Sequence, residues 1–273
     1  MPTPATAGRG TLVVKYGGNA MTDASLQHAF LKDVAALAAE GWRLVVVHGG
    51  GPQIDAMLGR LGLDGRFVNG LRVTDETTMA VVQLVLAGAV GPDLVAGLQR
   101  AGARAFGVSG VDGGLLGARK RWGEGPNGRP LDLGRVGEVV RVDTDVLATL
   151  LDAGYLPVVA PFALAEDGAP CNVNADFAAA AIARALGADA LLMLTNTAGV
   201  LDRDGVVLAE LDGEAVASLI AAGTIGGGML PKVEAALATA RQGVGYVRIV
   251  DGRVAGALTA AVREGRGGTA IRA

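Results

Sequence analysis

Thr11-Leu12-Val13-Val14-Lys15-Tyr16-Gly17-Gly18-Asn19 and, one helix-length later, Arg43-Leu44-Val45-Val46-Val47-His48-Gly49-Gly50-Gly51-Pro52 share one grammar: an unbroken apolar run that stops at glycines. Runs without polar alternation read as strands buried on both faces, as in parallel sheets. Between them Asp23 can cap a helix over 24–40, whose apolar face is Leu26, Phe30, Val34, Leu37 and Ala38, and Gly41 ends it. A second helical pattern follows from Gln53 to about Leu61. Strand, helix, strand, glycine turn, helix is the order of an α/β fold.

The pattern continues outward. Glu76 to Ala101 reads as helix, with a bend or break at Gly91-Pro92. Phe106–Val108, Leu115–Ala118 and Val136–Val142 are short strand-like pieces of a β insertion, with a mobile loop expected at 121–130. A helix at 144–153, a strand at Leu156–Ala160, a helix at Asp176–Leu186 and a strand at Ala190–Leu194 return to α/β. Helices at Glu214–Ala221 and Pro231–Arg241, a strand at Tyr246–Val250 and a helix at Gly256–Arg263 complete the pass. A lobe boundary is placed near 185–190, dividing 1–188 from 189–273.

Composition narrows the class. A chain of 273 residues with net charge −3 has room for one large or two ordinary domains and lacks the basic excess of a nucleic-acid protein. One cysteine, Cys171, excludes a disulfide framework and a cysteine-rich metal site, and fits a reducing compartment. Residues 1–6 do not resemble a signal peptide, and no charge-free apolar run of about 18 residues is found, so a cytoplasmic protein without a membrane span is expected. With 43 glycines, paired glycines carry little weight alone. The one G-x-G-x-x-G match, Gly123 to Gly128, follows no strand-to-helix turn and reads as a loop.

Scarce residues say more. Lysine occurs at only four positions, 15, 32, 120 and 232, against twenty arginines, so a lysine kept in a glycine turn is a specific choice. Four segments put such groups at strand ends, where open α/β sheets bind ligands. Lys15-Tyr16-Gly17-Gly18-Asn19 offers backbone N–H groups beside an ammonium, and alone it reads almost as well as an ordinary turn. His48-Gly49-Gly50-Gly51-Pro52-Gln53 exposes donors at a helix N-terminus, with His48 itself read as structural. In Asn172-Val173-Asn174-Ala175-Asp176 the two carboxamides share one side, and Asp176 caps or begins a helix. In Gly223-Thr224-Ile225-Gly226-Gly227-Gly228-Met229-Leu230-Pro231-Lys232 a cation occupies the first turn of a helix, which is unfavourable unless an anion lies near. No Walker A sequence, protein-kinase signature, serine elbow or metal-binding histidine cluster is present.

Together with Phe67-Val68-Asn69-Gly70-Leu71-Arg72-Val73-Thr74-Asp75, these segments, in this order, resemble the acetylglutamate kinases of the amino-acid kinase family. The resemblance runs from 11 to about 250. It implies a three-layer α/β/α sandwich around a mainly parallel sheet, an N-terminal lobe for substrate and dimerisation, and a C-terminal lobe for ATP. It implies ATP-dependent phosphorylation of the γ-carboxylate of N-acetyl-L-glutamate, the second step of arginine biosynthesis. Carried over by position, Lys15 and Lys232 stabilise the transferring phosphoryl group and Asp176 orients them. Gly50 and Gly51 offer N–H groups, Arg72 grips the α-carboxylate, and Asn172 and Asn174 contact substrate. Gly17, Gly18, Thr195, Asn196, Gly199, Thr224, Gly226 and Lys232 match the nucleotide-binding stretches. Magnesium would be held mainly by the nucleotide phosphates, without a protein metal site. The substrate carboxylate is already ionised at neutral pH, so no general base is needed.

Two departures stand out. Thr195-Asn196 replaces the Asp usual after that strand, and the region after 250 matches poorly. Only about ten residues precede the first strand, from which a homodimer insensitive to arginine is expected. Two alternatives are weighed against this reading. One is a kinase for carrier-protein-linked aminoadipate or glutamate, favoured by Asn196 and opposed by Gly18-Asn19-Ala20-Met21 and the 69–75 run. The other is a non-catalytic amino-acid or nucleotide sensor, opposed by the presence of both lysines.

Overall fold

The computed structural model describes residues 9–125 and 128–273, apart from the side chains of Asn19 and Ala20. The first apolar run is strand β1, Arg9–Tyr16, followed by a 3-10 turn, Gly18–Met21. Asp23 caps helix α1, Ala24–Ala39, by accepting from the backbone N–H groups of Ser25 and Leu26. The second run is β2, Trp42–His48. Helix α2, Gly51–Arg60, starts two residues before the expected Gln53, because Pro52 is tolerated in a first turn whose N–H groups have no intrahelical partner. Strands β3, Phe67–Val68, and β4, Leu71–Arg72, form a hairpin. Its turn residues Asn69 and Gly70 have φ of 47° and 78°, the geometry that Asn-Gly favours.

The long helix is α3, Glu76–Val85, a π-helical turn, Leu86–Val90, and α4, Gly91–Arg100. The irregularity lies before Gly91-Pro92. Pro92 has no N–H for the Gly88 carbonyl four residues back, and Gly88 sits inside the wider π turn. By length and composition Glu76–Arg100 is able to cross a membrane, which the sequence reading did not expect. In this fold one side of it belongs to the core: Val82, Val85, Leu94 and Leu98 are buried against the sheet and α1.

Strand β5 is Ala105–Ser109, β6 is Leu116–Glu124 and β7 is Pro130–Val142. Strands β6 and β7 pair, so five of the ten residues of the expected mobile loop at 121–130 are strand, and Pro126 and Asn127 lie outside the described residues. The charged letters concealed it. The exposed positions of this hairpin carry charge, with Arg119 pairing with Glu138 at 3.1 Å and Lys120 with Asp132 at 2.8 Å. Helix α5, Asp145–Asp152, precedes β8, Leu156–Ala160, β9, Phe162–Ala165, and β10, Pro170–Asn172. Strands β9 and β10 were not foreseen. With β6 and β7 they close a small barrel. Helix α6, Ala175–Ala185, β11, Ala190–Thr195, β12, Glu210–Leu211, α7, Gly213–Ala221, α8, Leu230–Arg241, β13, Tyr246–Asp251, α9, Ala257–Glu264, and β14, Thr269–Ile271, complete the chain.

The main sheet runs β12-β14-β13-β11-β1-β2-β8-β5, parallel from β13 to β5, with β14 antiparallel to β13. Alternate residues face opposite layers. Val13, Val45, Val47, Leu191 and Met193 pack under α5, α6, α7 and α8. Leu12, Val14, Tyr16, Leu44, Val46 and Leu192 pack under α1 to α4 and α9. This is the expected three-layer arrangement. It fixes two directions: Lys15 shares the parity of Val13 and points toward α6 and α8, while His48 shares that of Val46 and points toward α3 and α4.

Candidate active site

Register brings the strand ends together. Tyr16 pairs with His48, Lys15 with Met193, and Thr195 with Asp251, so the glycine turns after β1 and β2 open at one edge of the sheet. Gly49 N–H donates to the Tyr16 carbonyl at 2.7 Å and ties the two turns. A carbon placed on Gly17 would stand 2.8 Å from Lys15 Nζ, so a side chain there would push that ammonium from its place.

Lys15 and Lys232, 217 positions apart in sequence, meet on Asp176. Lys15 Nζ lies 3.1 Å from Asp176 Oδ1, and Lys232 Nζ donates to Oδ1 at 2.8 Å and Oδ2 at 3.0 Å. All three side chains are buried, 9%, 7% and 7% exposed for Lys15, Asp176 and Lys232. Burial would raise the Asp176 carboxyl, but the two ammonium groups outweigh it and hold the group below the usual carboxylate range. Burial pulls Lys15 down to about 8, Asp176 opposing and Lys232 adding to the loss. The cluster carries two cations and one anion, so a positive charge is left over at a buried site. The anion that offsets Lys232 at the start of α8 is therefore Asp176 of the same chain, and the surplus remains for a ligand.

Asp176 is not the helix cap. Asn174 caps α6, its Oδ1 accepting from Asp176 N–H at 2.8 Å, and Asp176 follows in the first turn. Asn174 also lines a cleft of about 140 Å³ together with Gly50, Gly51, Arg72 and Asn172, so the five residues named for substrate share one cavity. Arg72 is 6% exposed. Its Nη1 donates to Asp55 Oδ1 at 2.6 Å and its Nη2 to the Gly51 carbonyl at 3.3 Å, and its guanidinium stacks 4.5 Å from the Phe67 ring centre. Asn172 Nδ2 donates to Thr74 Oγ1 at 3.2 Å, and that hydroxyl donates to the Arg72 carbonyl at 2.8 Å. Asp55, Phe67 and Thr74 were not singled out from sequence. Thr74 and Phe67 stood inside a quoted motif, but an acidic residue at Asp55 carries no signal until the fold sets it against Arg72.

The nucleotide-matched residues are more dispersed, and the Arg72 cleft does not include Thr195, Asn196, Gly199, Thr224 or Gly226 in its lining. Thr195 ends β11. Asn196 reaches the first glycine turn: a carbon on Gly18 would lie 2.3 Å from its Oδ1. Gly199 lies against Thr269, whose hydroxyl accepts from Val200 N–H at 2.8 Å. Thr224 Oγ1 accepts from Arg203 Nε at 3.3 Å, and Gly226 leads into a 3-10 turn, Gly227–Met229, that runs directly into α8. The β3–β4 hairpin links the two regions, since a carbon on Gly70 would stand 3.7 Å from the Gly227 carbonyl oxygen. Cys171 is buried, and burial pushes its thiol up to about 11, so it is no nucleophile here. Among the described residues no group of three His, Cys, Asp or Glu side chains is placed to hold a metal.

Comparison with known proteins agrees with this architecture. The chain is 54% identical over 270 residues to acetylglutamate kinase of Acidiphilium cryptum (strain JF-5), covering 96% of this chain and 90% of that protein. It is 52% identical over 247 residues to acetylglutamate kinase of Bordetella avium (strain 197N), covering 89% and 82%. The structure of smu.665 from Streptococcus mutans UA159 superposes with a TM-score of 0.80 at 31% identity over 96% of this chain and 98% of that one. N-acetylglutamate synthase from Neisseria gonorrhoeae, complexed with coenzyme A and N-acetyl-glutamate, superposes with a TM-score of 0.83 at 28% identity over 97% of this chain and 59% of that one. The family model described as the amino acid kinase family matches residues 10–251, and the chain belongs to that family.

Proposed function

We propose that the protein transfers the γ-phosphoryl group of ATP to the γ-carboxylate of N-acetyl-L-glutamate, giving N-acetyl-L-glutamyl 5-phosphate. One observation carries the reading: two buried ammonium groups share one carboxylate beside a cleft that holds a buried arginine. The acetylglutamate kinases at about half identity support the same substrate.

Phosphoryl transfer to a carboxylate sets one anion against another, so the protein's task is positioning and charge neutralisation. Asp176 holds Lys15 and Lys232 so that both face the reacting groups. Arg72, itself fixed by Asp55 and Phe67, retains N–H donors for the substrate α-carboxylate. Gly50 and Gly51 present N–H groups to the opposite end, with Asn172 and Asn174 at the sides. Residues 1–188 form the acetylglutamate lobe. Residues 189–273 form the ATP lobe, and Gly17 and Gly18 of the first lobe join Thr195, Asn196, Gly199, Thr224, Gly226 and Lys232 along the nucleotide. Mg²⁺ bound by the nucleotide phosphates would supply further charge neutralisation.

The protein acts as a cytoplasmic homodimer in this reading. Ala80, Leu84, Ala87 and Gly88 expose one side of the long helix, and Phe106 is exposed on the edge strand β5, an apolar surface suited to a second copy. A coupled assay of ADP release with free N-acetyl-L-glutamate tests the function. Steady turnover is expected, and none at any substrate concentration would transfer the assignment to a carrier-linked substrate.

A further inference from the structure

His48 is a motif residue that the proposed reaction leaves without work. Its ring is fully buried on the α3–α4 side of the sheet, 0% exposed. Its Nδ1 lies 2.8 Å from the carbonyl oxygen of Gly49. A carbonyl oxygen can only accept, so Nδ1 carries the proton and donates. Nε2 is buried without a partner, and a carbon placed on Gly91 would stand 3.4 Å from it. Burial pushes the imidazole down to about 4 against the raising effect of the Gly49 hydrogen bond, so the ring is neutral. A buried, unpartnered nitrogen is unfavourable, and an apolar side chain of similar bulk would fill this place without it. Packing therefore does not account for a histidine here.

The Gly49–Gly50 peptide supplies the reason. It is trans, and in a trans peptide the carbonyl and the following N–H point in opposite directions. The Gly49 carbonyl is turned toward the buried ring, so the Gly50 N–H points away from the ring, and Gly49, Gly50 and Gly51 line the cleft. Among the described residues that N–H has no protein acceptor. From the other side Leu86, in the π turn, closes on the loop: a carbon on Gly50 would lie 2.5 Å from Leu86 Cδ2.

We propose that His48 is a positioning residue, whose Nδ1–H holds the Gly49 carbonyl and thereby aims the Gly50 N–H at the γ-carboxylate of the substrate, the end opposite the one Arg72 holds. The inference rests on the acetylglutamate reading above. Three variants separate the donor from the packing. His48→Asn keeps an N–H near the place of Nδ1, His48→Gln moves it outward by one carbon, and His48→Leu keeps bulk without a donor. The leucine and glutamine variants should raise KM for N-acetyl-L-glutamate about tenfold and leave KM for ATP within about twofold, with the asparagine variant close to the parent. An unchanged KM for N-acetyl-L-glutamate in folded His48→Leu, or equal rises in both KM values, overturns the proposal.

A measurement on the unaltered enzyme keeps the test independent of how the variants fold. ¹⁵N spectra of the His48 ring should show the proton on Nδ1 alone, and a proton on Nε2 instead refutes the proposal. If the unaltered enzyme itself does not turn over N-acetyl-L-glutamate, the substrate reading fails, whereas normal turnover with an unchanged His48→Leu defeats only the role given to His48.

Discussion

At the end of β1, Lys15 keeps an ammonium group where burial opposes it, and the consequences are measurable at this single residue. Its pKa falls to about 8 from 10.5, so between those values the unfolded chain holds a proton that the folded chain has released. Folding stability from Lys15 therefore rises with pH across that window, and at neutral pH the buried charge is a cost. Lys15→Met should lower turnover by about 10²-fold or more. It should nevertheless match or exceed the parent in urea midpoint near pH 7, with that advantage shrinking by about pH 10. The alkaline limb of kcat/KM should fall near the free-enzyme value of about 8, whereas the limb of kcat moves higher because bound polyphosphate favours the charged lysine. A variant markedly less stable than the parent at neutral pH would contradict this account.

Helix α6 shows how an element serves the fold and the site at once. Asn174 caps it, and the N–H it receives belongs to Asp176, the carboxylate that holds both lysines. The same Asn174 lines the Arg72 cleft. Asn174→Ala should cost about 1 kcal/mol in chemical unfolding through the lost cap. Asn174→Asp restores a capping oxygen, so its stability should return to the parent's. It also brings a negative charge to the cleft proposed for the substrate, so KM for N-acetyl-L-glutamate should rise about tenfold or more. Equal KM values for Asn174→Asp and the parent would remove Asn174 from substrate contact. The cap and the cleft were legible in the sequence only in part. The alternation of Asn172 and Asn174 placed two carboxamides together, but which of Asn174 and Asp176 caps the helix depends on where α6 begins, and that is a matter of one turn.

For the whole molecule, β1 pairs with β11 and both core layers draw residues from either side of residue 188, so the two lobes share one continuous sheet. In the proposed reading a division at 188 is one of tasks on a single scaffold, which is why composition does not mark it. The exposed stripe around Leu84 and the edge residue Phe106 are the surfaces through which a second copy would dock. Sedimentation at micromolar concentration should give twice the 27.3 kDa chain mass, and Leu84→Glu should reduce it to a single chain. A parent protein that sediments as a monomer would rule out the homodimer.

By itself the sequence determined the layers, the order of the central elements and the glycine turns that carry the chemistry. Unbroken apolar runs, helical spacing and glycine stops are local, and local patterns survive without knowledge of the partner they pack on. It showed β6 and β7 only as short pieces at 115–118 and 136–142, because their outer parts are charged and half-exposed, and it did not reveal β9 and β10, which at four and three residues are too short for a period to register. Nor did it reveal Asp55 beside Arg72, or the direction in which His48 turns the Gly49 peptide. The family resemblance implied that Asp176 orients Lys15 and Lys232, but the spacing of the residues does not show the meeting, which tertiary structure decides. Strand parity points Lys15 to one face of the sheet, the packing of α6 and α8 brings the other two there, and only burial together turns three ordinary charges into a site with charge to spare.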